Sequence, residues 1–213
     1  MDRLFECKVT FEPIPLFFRS NLFNIKPFNV MKKSTGTKPK FSTQPQLVAE
    51  PTFYDLLITA LHEIYWAENH LVKVLPVMAE AATHPRLKEA ITTHQGETLV
   101  QVERLEAVFA ALSEKPLSKK CIAVEGLAKE GEAIIEMTGR SGPVTDMGII
   151  TACQKVEHYE IVSYESLINL AEGLGLNEVV EILKKTLDEE ANSDEKLTAI
   201  ALNEILPKGM KVS

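Results

Sequence analysis

Gln154-Lys155-Val156-Glu157-His158-Tyr159-Glu160-Ile161 decides the fold, because two acids stand in it where a helix should be apolar. Residues three and four apart share one face of a helix. That face reads Ile150, Cys153, Glu157, Glu160, Tyr164, Leu167 and Ala171, an apolar stripe broken by the acids. Carboxylates are rarely buried fully unless they are paired or bind a metal. The interruption therefore needs a physical reason, and the same pattern returns on other helices.

Working outward, helical periodicity runs from Thr52 to the end of the chain. Thr52 and Asp55 have the spacing of a capping box and open a first helix reaching about Ala82. Its stripe is Leu57, Leu61, Ile64, Glu68, Leu71, Leu75 and Met78, with Pro76 expected to kink or strain it. Pro85 suits the first turn of a second helix, whose stripe is read as Leu87, Ala90, His94, Glu97, Gln101, Leu105, Val108 and Leu112. A shorter helix is expected from Ser118 to Thr138, then a loop from Gly139 to Pro143. The helix carrying Glu157 and Glu160 spans Val144 to Glu172 and stops at Gly173 and Gly175. Asn177 is expected to cap a last helix reaching Leu206, with Val180, Leu183, Leu187, Glu190, Asp194, Leu197 and Ala201 inward. Long helices joined by short links, with no strand signal, predict an all-α antiparallel four-helix bundle with an extra short connecting helix.

Glu68, Glu97, Glu157, Glu160 and Glu190 each replace an apolar residue near the middle of a long helix. An unpaired buried carboxylate costs several kcal/mol or stays protonated. A group of them converging in a bundle would repel strongly, and two divalent cations would relieve the repulsion. Carboxylates from facing bundle helices hold pairs of iron or manganese ions in this way, and oxygen ligands suit such hard metals. The plain alternative for any one Glu is a solvated helix surface. Glu125 is read either as a further acid near the site or as a structural acid in a first turn. His94 is read as a ligand, a residue that orients a carboxylate from behind, or a plain core histidine, with the second favoured. His158 lies about 100° around the helix from Glu157 and is set aside.

Composition narrows the class. The chain has 213 residues, 45% hydrophobic and 25% charged, with a net charge of −7, which disfavours a general nucleic-acid binder. No apolar run approaches the roughly 18 residues of a membrane span. Three widely separated cysteines fit a reducing cytoplasm better than a disulfide framework. Charge divides the chain: residues 1–46 carry a net +5 and the remainder a net −12. Residues 1–48 are read as a disordered basic tail and 49–208 as the helical bundle. A start at Met31 is an alternative reading of the tail.

Several segments carry a family resemblance: Tyr65-Trp66-Ala67-Glu68, His94-Gln95-Gly96-Glu97-Thr98, Glu125-Gly126-Leu127, Gln154 to Glu160, and Leu187-Asp188-Glu189-Glu190 with Asp194 to Thr198. From Phe53 to Leu206 the chain resembles the YciE/YciF-like stress-protein family of the ferritin-like superfamily. The resemblance implies a ferritin-like bundle, a homodimer and a two-metal site, without an established reaction. One departure stands out. Ferritin-like di-iron proteins commonly carry Glu-x-x-His on two helices. Here Val100 follows Glu97 and Ser193 follows Glu190 at that spacing, with Gln101 and Asp194 the nearest substitutes.

The leading expectation is a cytoplasmic stress-response protein binding two Fe or Mn ions. Glu97 and Glu190 would bridge the metals, and Glu68, Glu157 and Glu160 would be terminal ligands. Its reaction would be iron oxidation or peroxide consumption, with a small-molecule oxidant as reactant. The alternative is a metal-free helical dimer acting as a structural or interaction protein. A storage cage is the third reading, and nothing in the sequence signals cage contacts.

Overall fold

A computed structural model describes residues 50–139 and 142–210. The basic tail expected over residues 1–48 lies outside the described residues. Five long helices follow: α1 (Phe53–Ala81), α2 (Pro85–Ala111), α3 (Ile122–Thr138), α4 (Gly142–Gly173) and α5 (Asn177–Ile200). A π-helical turn over Ala201–Ile205 and a short α6 (Leu206–Gly209) complete the order. Among the described residues there is no strand. The fold is the ferritin-like antiparallel bundle expected, with α1, α2, α5 and α4 forming the ring in that order and α3 packed outside on α4 and α1.

Local chemistry sets the ends of these helices. Thr52 and Asp55 close the capping box: the Asp55 amide donates to Thr52 Oγ1, and the Thr52 amide donates to Asp55 Oδ2 at 2.8 Å. α2 starts at Pro85 without a side-chain cap. Its entrance is held from a distance by Asp146 of α4, which accepts from the Thr83 amide and hydroxyl (both 2.6 Å) and from the His84 amide (3.3 Å). Asp146 is itself buried. α4 ends at Gly173, and Gly175 turns the chain at φ +74°, where a side chain would be strained.

Three local expectations change. α3 begins at Ile122 rather than Ser118, because the Lys119 amide donates to the His62 carbonyl and Cys121 takes the N-cap. α4 begins at Gly142, so Pro143 falls in its first turn rather than in a loop. Asn177 is the first residue of α5 and not its cap, which is Leu176 with no side-chain hydrogen bond. Pro76 does not interrupt α1. Proline has no N–H for the carbonyl four residues back, here Val72, and the Gln95 amide of α2 reaches that oxygen at 3.5 Å.

The core follows the stripes. Leu57, Leu61, Ile64, Leu71, Leu75 and Met78 of α1 meet Ile150, Cys153, Tyr164, Leu167 and Ala171 of α4 in one buried cluster. Leu87, Leu105 and Val108 of α2 and Val180, Leu183 and Leu197 of α5 complete it. Full burial of such side chains contributes about 1.5–3 kcal/mol each. α3 lies close against α4 because Gly148 has no side chain: a Cβ there would meet Ile134 Cγ2 at 2.4 Å.

Candidate metal centre

Four acids from three helices stand buried in the middle of this core: Glu68 of α1, Glu157 and Glu160 of α4, and Glu190 of α5, at 0–2% exposure. His94 of α2 joins them. One ligand atom from each of His94, Glu157, Glu160 and Glu190 lies within 4.8 Å of the others. His94 Nε2 stands 3.4 Å from Glu157 Oε1 and 3.6 Å from Glu190 Oε2. Glu68 borders this group, held by the Tyr164 hydroxyl, which donates to its Oε1 at 2.5 Å. Ser193, one turn from Glu190, donates to Glu157 Oε1 at 3.1 Å.

The remaining oxygens have nothing to bond. Both oxygens of Glu160 and of Glu190, and the Oε2 atoms of Glu68 and Glu157, are buried without a hydrogen-bond partner. Buried polar atoms are nearly always satisfied, so this concentration at one level of the bundle is exceptional. Nearby positive charge is committed elsewhere. Arg104 grips Glu189 through Nη1 and Nη2 at 2.5 and 2.7 Å, and Gln101 donates to the same Glu189 at 3.1 Å.

Proton affinities follow. Burial, then the charge of Glu190, pushes Glu68 up to about 8. Burial pushes Glu157 up to about 8 against the hydrogen bonds it receives. Glu160 and Glu190 are raised well above the usual carboxylate range, first by burial; the neighbouring acids add to it for Glu160, and Glu157 does so for Glu190, where His94 pulls the other way. Burial alone would lower His94, but Glu97, Glu190 and Glu68 together outweigh it and raise the imidazole. A cation would change this balance, since bound metal requires deprotonated ligands.

Glu97 does not join the group. Its side chain is 29% exposed, with Oε2 at 3.5 Å from His94 Nδ1 and Oε1 at 3.7 Å from Lys196 Nζ. The stripe of α2 is shifted by one residue from the expected one. Ile91 and Thr98 turn inward where Ala90 and Glu97 were expected, and the Thr98 hydroxyl donates back to the His94 carbonyl. α5 shifts by one residue in the opposite direction: Thr186 and Ser193 are buried in place of Leu187 and Asp194. Asp194 instead accepts from Gln154 at 3.0 Å and faces the exposed His158 at 3.2 Å. Glu125 sits in the first turn of α3, where Lys120 and Lys129 bond it and hold its carboxyl below the usual range. His94, favoured from the sequence as a residue that orients a carboxylate, lies within the group that could hold a metal ion.

The family model described as Domain of unknown function (DUF892) matches residues 52–208. The chain belongs to this family. Protein YciF of Escherichia coli (strain K12) is 40% identical over 158 residues, covering 74% of this chain and 95% of YciF. The crystal structure of the E. coli stress protein YciF superposes with a TM-score of 0.69 at 41% identity, covering 71% of this chain and 96% of that one. YcfI from Rhodopseudomonas palustris gives 0.67 at 41% identity, over 76% of this chain and 99% of that one. A Xanthomonas campestris protein at 22% identity and a TM-score of 0.60, over 75% of this chain and 98% of that one, shares the fold. This DUF892 chain is thus a YciF-like bundle with a buried His/Glu group that could hold a metal ion. None of its described helices is long and apolar enough to cross a membrane.

Proposed function

We propose that this chain is a cytoplasmic, homodimeric stress-response protein that binds two Fe or Mn ions in the bundle core. The carrying observation is the pair Glu160 and Glu190, whose four oxygens are buried without a hydrogen-bond partner. With Glu68 and Glu157 ionised and His94 neutral, the charge is −4, which two divalent cations cancel. Glu157, Glu160, Glu190 and His94 would hold the metals, with Glu68 completing the set from α1. Tyr164 and Ser193 each fix one oxygen of an acid, Glu68 and Glu157 respectively, and leave the other free to bind. Glu97, partly exposed and 3.5 Å from a His94 Nδ1 that has no hydrogen-bond partner, stands outside this set. In this reading Glu97 does not bridge the metals, the role expected for it from the sequence.

Bound iron or manganese would supply reversible one-electron chemistry, which suits iron oxidation by a small-molecule oxidant or the consumption of peroxide. The chain's own contribution is a fixed oxygen-rich ligand set and an apolar surround that excludes bulk water. Elemental analysis of protein from cells given both metals tests the reading, followed by anaerobic reconstitution. About two metals per chain is the expected result; negligible metal after reconstitution overturns it.

A second reading rests on the raised proton affinities. Glu68 and Glu157, both near 8, would be mostly neutral at pH 7 without any metal. The chain would then be a metal-free helical dimer with a structural or interaction role. Melting with and without a chelator separates the two, because a ligand bound only to the folded state stabilises it by mass action.

A further inference from the structure

We infer that Glu97 and Lys196 guard the passage by which divalent cations reach the buried acids, with Glu97 as the capturing carboxylate and Lys196 as its brake. This rests on the metal-binding function proposed above. Two spaces reach both His94 and Glu157. One, of about 20 Å³, is walled by Leu71, Val74, Met78, Leu127, Ala152 and Val156. A hydrated cation gains nothing there for the water it must shed. The other, a narrow gap of about 10 Å³, lies between α2, α4 and α5 and has Glu97, Lys196 and Ser193 on its wall with His94 and Glu157.

Along this second space the carboxylates form a sequence. Glu97 is 29% exposed beside Lys196, which is 54% exposed, so this end meets solvent. His94 comes next, 3.5 Å from Glu97, and then Glu157, 3.4 Å from His94 and 2% exposed. A cation entering here exchanges water for a carboxylate at the rim before it meets the dry interior. The 3.7 Å pair between Lys196 and Glu97 is loose, exposed and thus weak. Its ammonium can swing away while its charge still opposes an arriving cation. Charge at the mouth of a narrow site changes association rates by about 10-fold or more, and salt screens the effect.

The test separates rate from equilibrium in the metal-free full chain. Rapid mixing with Co²⁺, followed by its visible absorbance, gives the loading rate, and titration with Mn²⁺ gives the final stoichiometry. Glu97→Gln should slow loading about 10-fold, and Lys196→Gln should speed it, both with the full complement of metal at the end. Both differences should shrink at high salt, and Glu103→Gln on the exposed side of α2 should load at the wild-type rate. Reduced stoichiometry in Glu97→Gln would make Glu97 a ligand and overturn the proposal. Unchanged rates in both variants, with normal final uptake, would overturn the passage alone. No uptake by the wild type would bring down the metal-binding function and the passage with it.

Discussion

Asp146 and Glu160 lie on the same helix, about 21 Å apart at 1.5 Å per residue, and both are buried. Asp146 accepts three hydrogen bonds from Thr83 and His84. Glu160 accepts none at either oxygen. The first is a carboxylate whose desolvation is offset within the chain: it ties the link between α1 and α2 to the foot of α4. The second has a cost that nothing in the chain offsets. Burial by itself therefore does not mark a functional acid. Burial with unspent lone pairs, repeated on neighbouring helices, is what the proposed metal centre rests on.

The largest test of this contrast is to remove Glu160. Glu160→Leu should reduce metal uptake to near nothing, while the metal-free protein melts at or above the wild-type temperature, since an apolar isostere removes a buried charge. A large loss of stability with no metal present would show that Glu160 serves the fold after all. Asp146→Ala should do the reverse. It strands the Thr83 and His84 donors, costing about 3 kcal/mol and roughly 6–12 °C in melting temperature, with or without metal. Stoichiometry of metal in the folded fraction should not change.

A pH series sharpens the comparison further. Glu68 and Glu157 bind protons more tightly folded, near 8, than at their ordinary 4.5. Their contribution to the metal-free fold is complete below about 4.5 and is lost as pH rises through about 8. Denaturant melts of chelated protein should therefore weaken steadily across that window. Metal affinity should climb across it, because protons compete for the same oxygens. A flat profile for the chelated protein would contradict the raised affinities. The smallest effect expected is that of Tyr164→Phe, which removes the donor to Glu68 and should weaken metal binding about 10-fold without abolishing it. Equilibrium competition with a metal indicator would read that change.

The readable parts of the sequence were those where apolar residues pinned a helical face on both sides of an acid. Leu61 and Ile64 precede Glu68 and Leu71 follows it; Cys153 precedes Glu157 and Tyr164 follows Glu160, so these stripes in α1 and α4 match the observed core. α2 gave no such frame. Between Leu87 and Leu105 its inward residues are Ile91, His94, Thr98 and Gln101, mostly polar, and a stripe through Ala90 and Glu97 fits a 3.6 period nearly as well. That ambiguity misplaced Glu97 and favoured a place for His94 behind the ligands. The buried Ile91, more apolar than Ala90, was the signal that could have resolved it. Asp146 was illegible for another reason: its partners lie more than 60 residues away, and no local pattern encodes them. The start of α3 was likewise set by a bond to His62 on another helix.

The π-helical turn over Ala201–Ile205 has a consequence for how this chain can vary. A π turn accommodates an extra residue inside an α-helix without breaking it. Downstream of it every side chain is rotated by about 100° relative to an uninterrupted helix. Within the turn itself, Glu204 meets Arg86 at 2.6 Å and Ile205 is buried. Deleting Leu202 or Asn203 should therefore restore a regular helix while unseating Glu204. Length change at this turn should be tolerated by the backbone and felt at the foot of α2, where Arg86 meets Glu204.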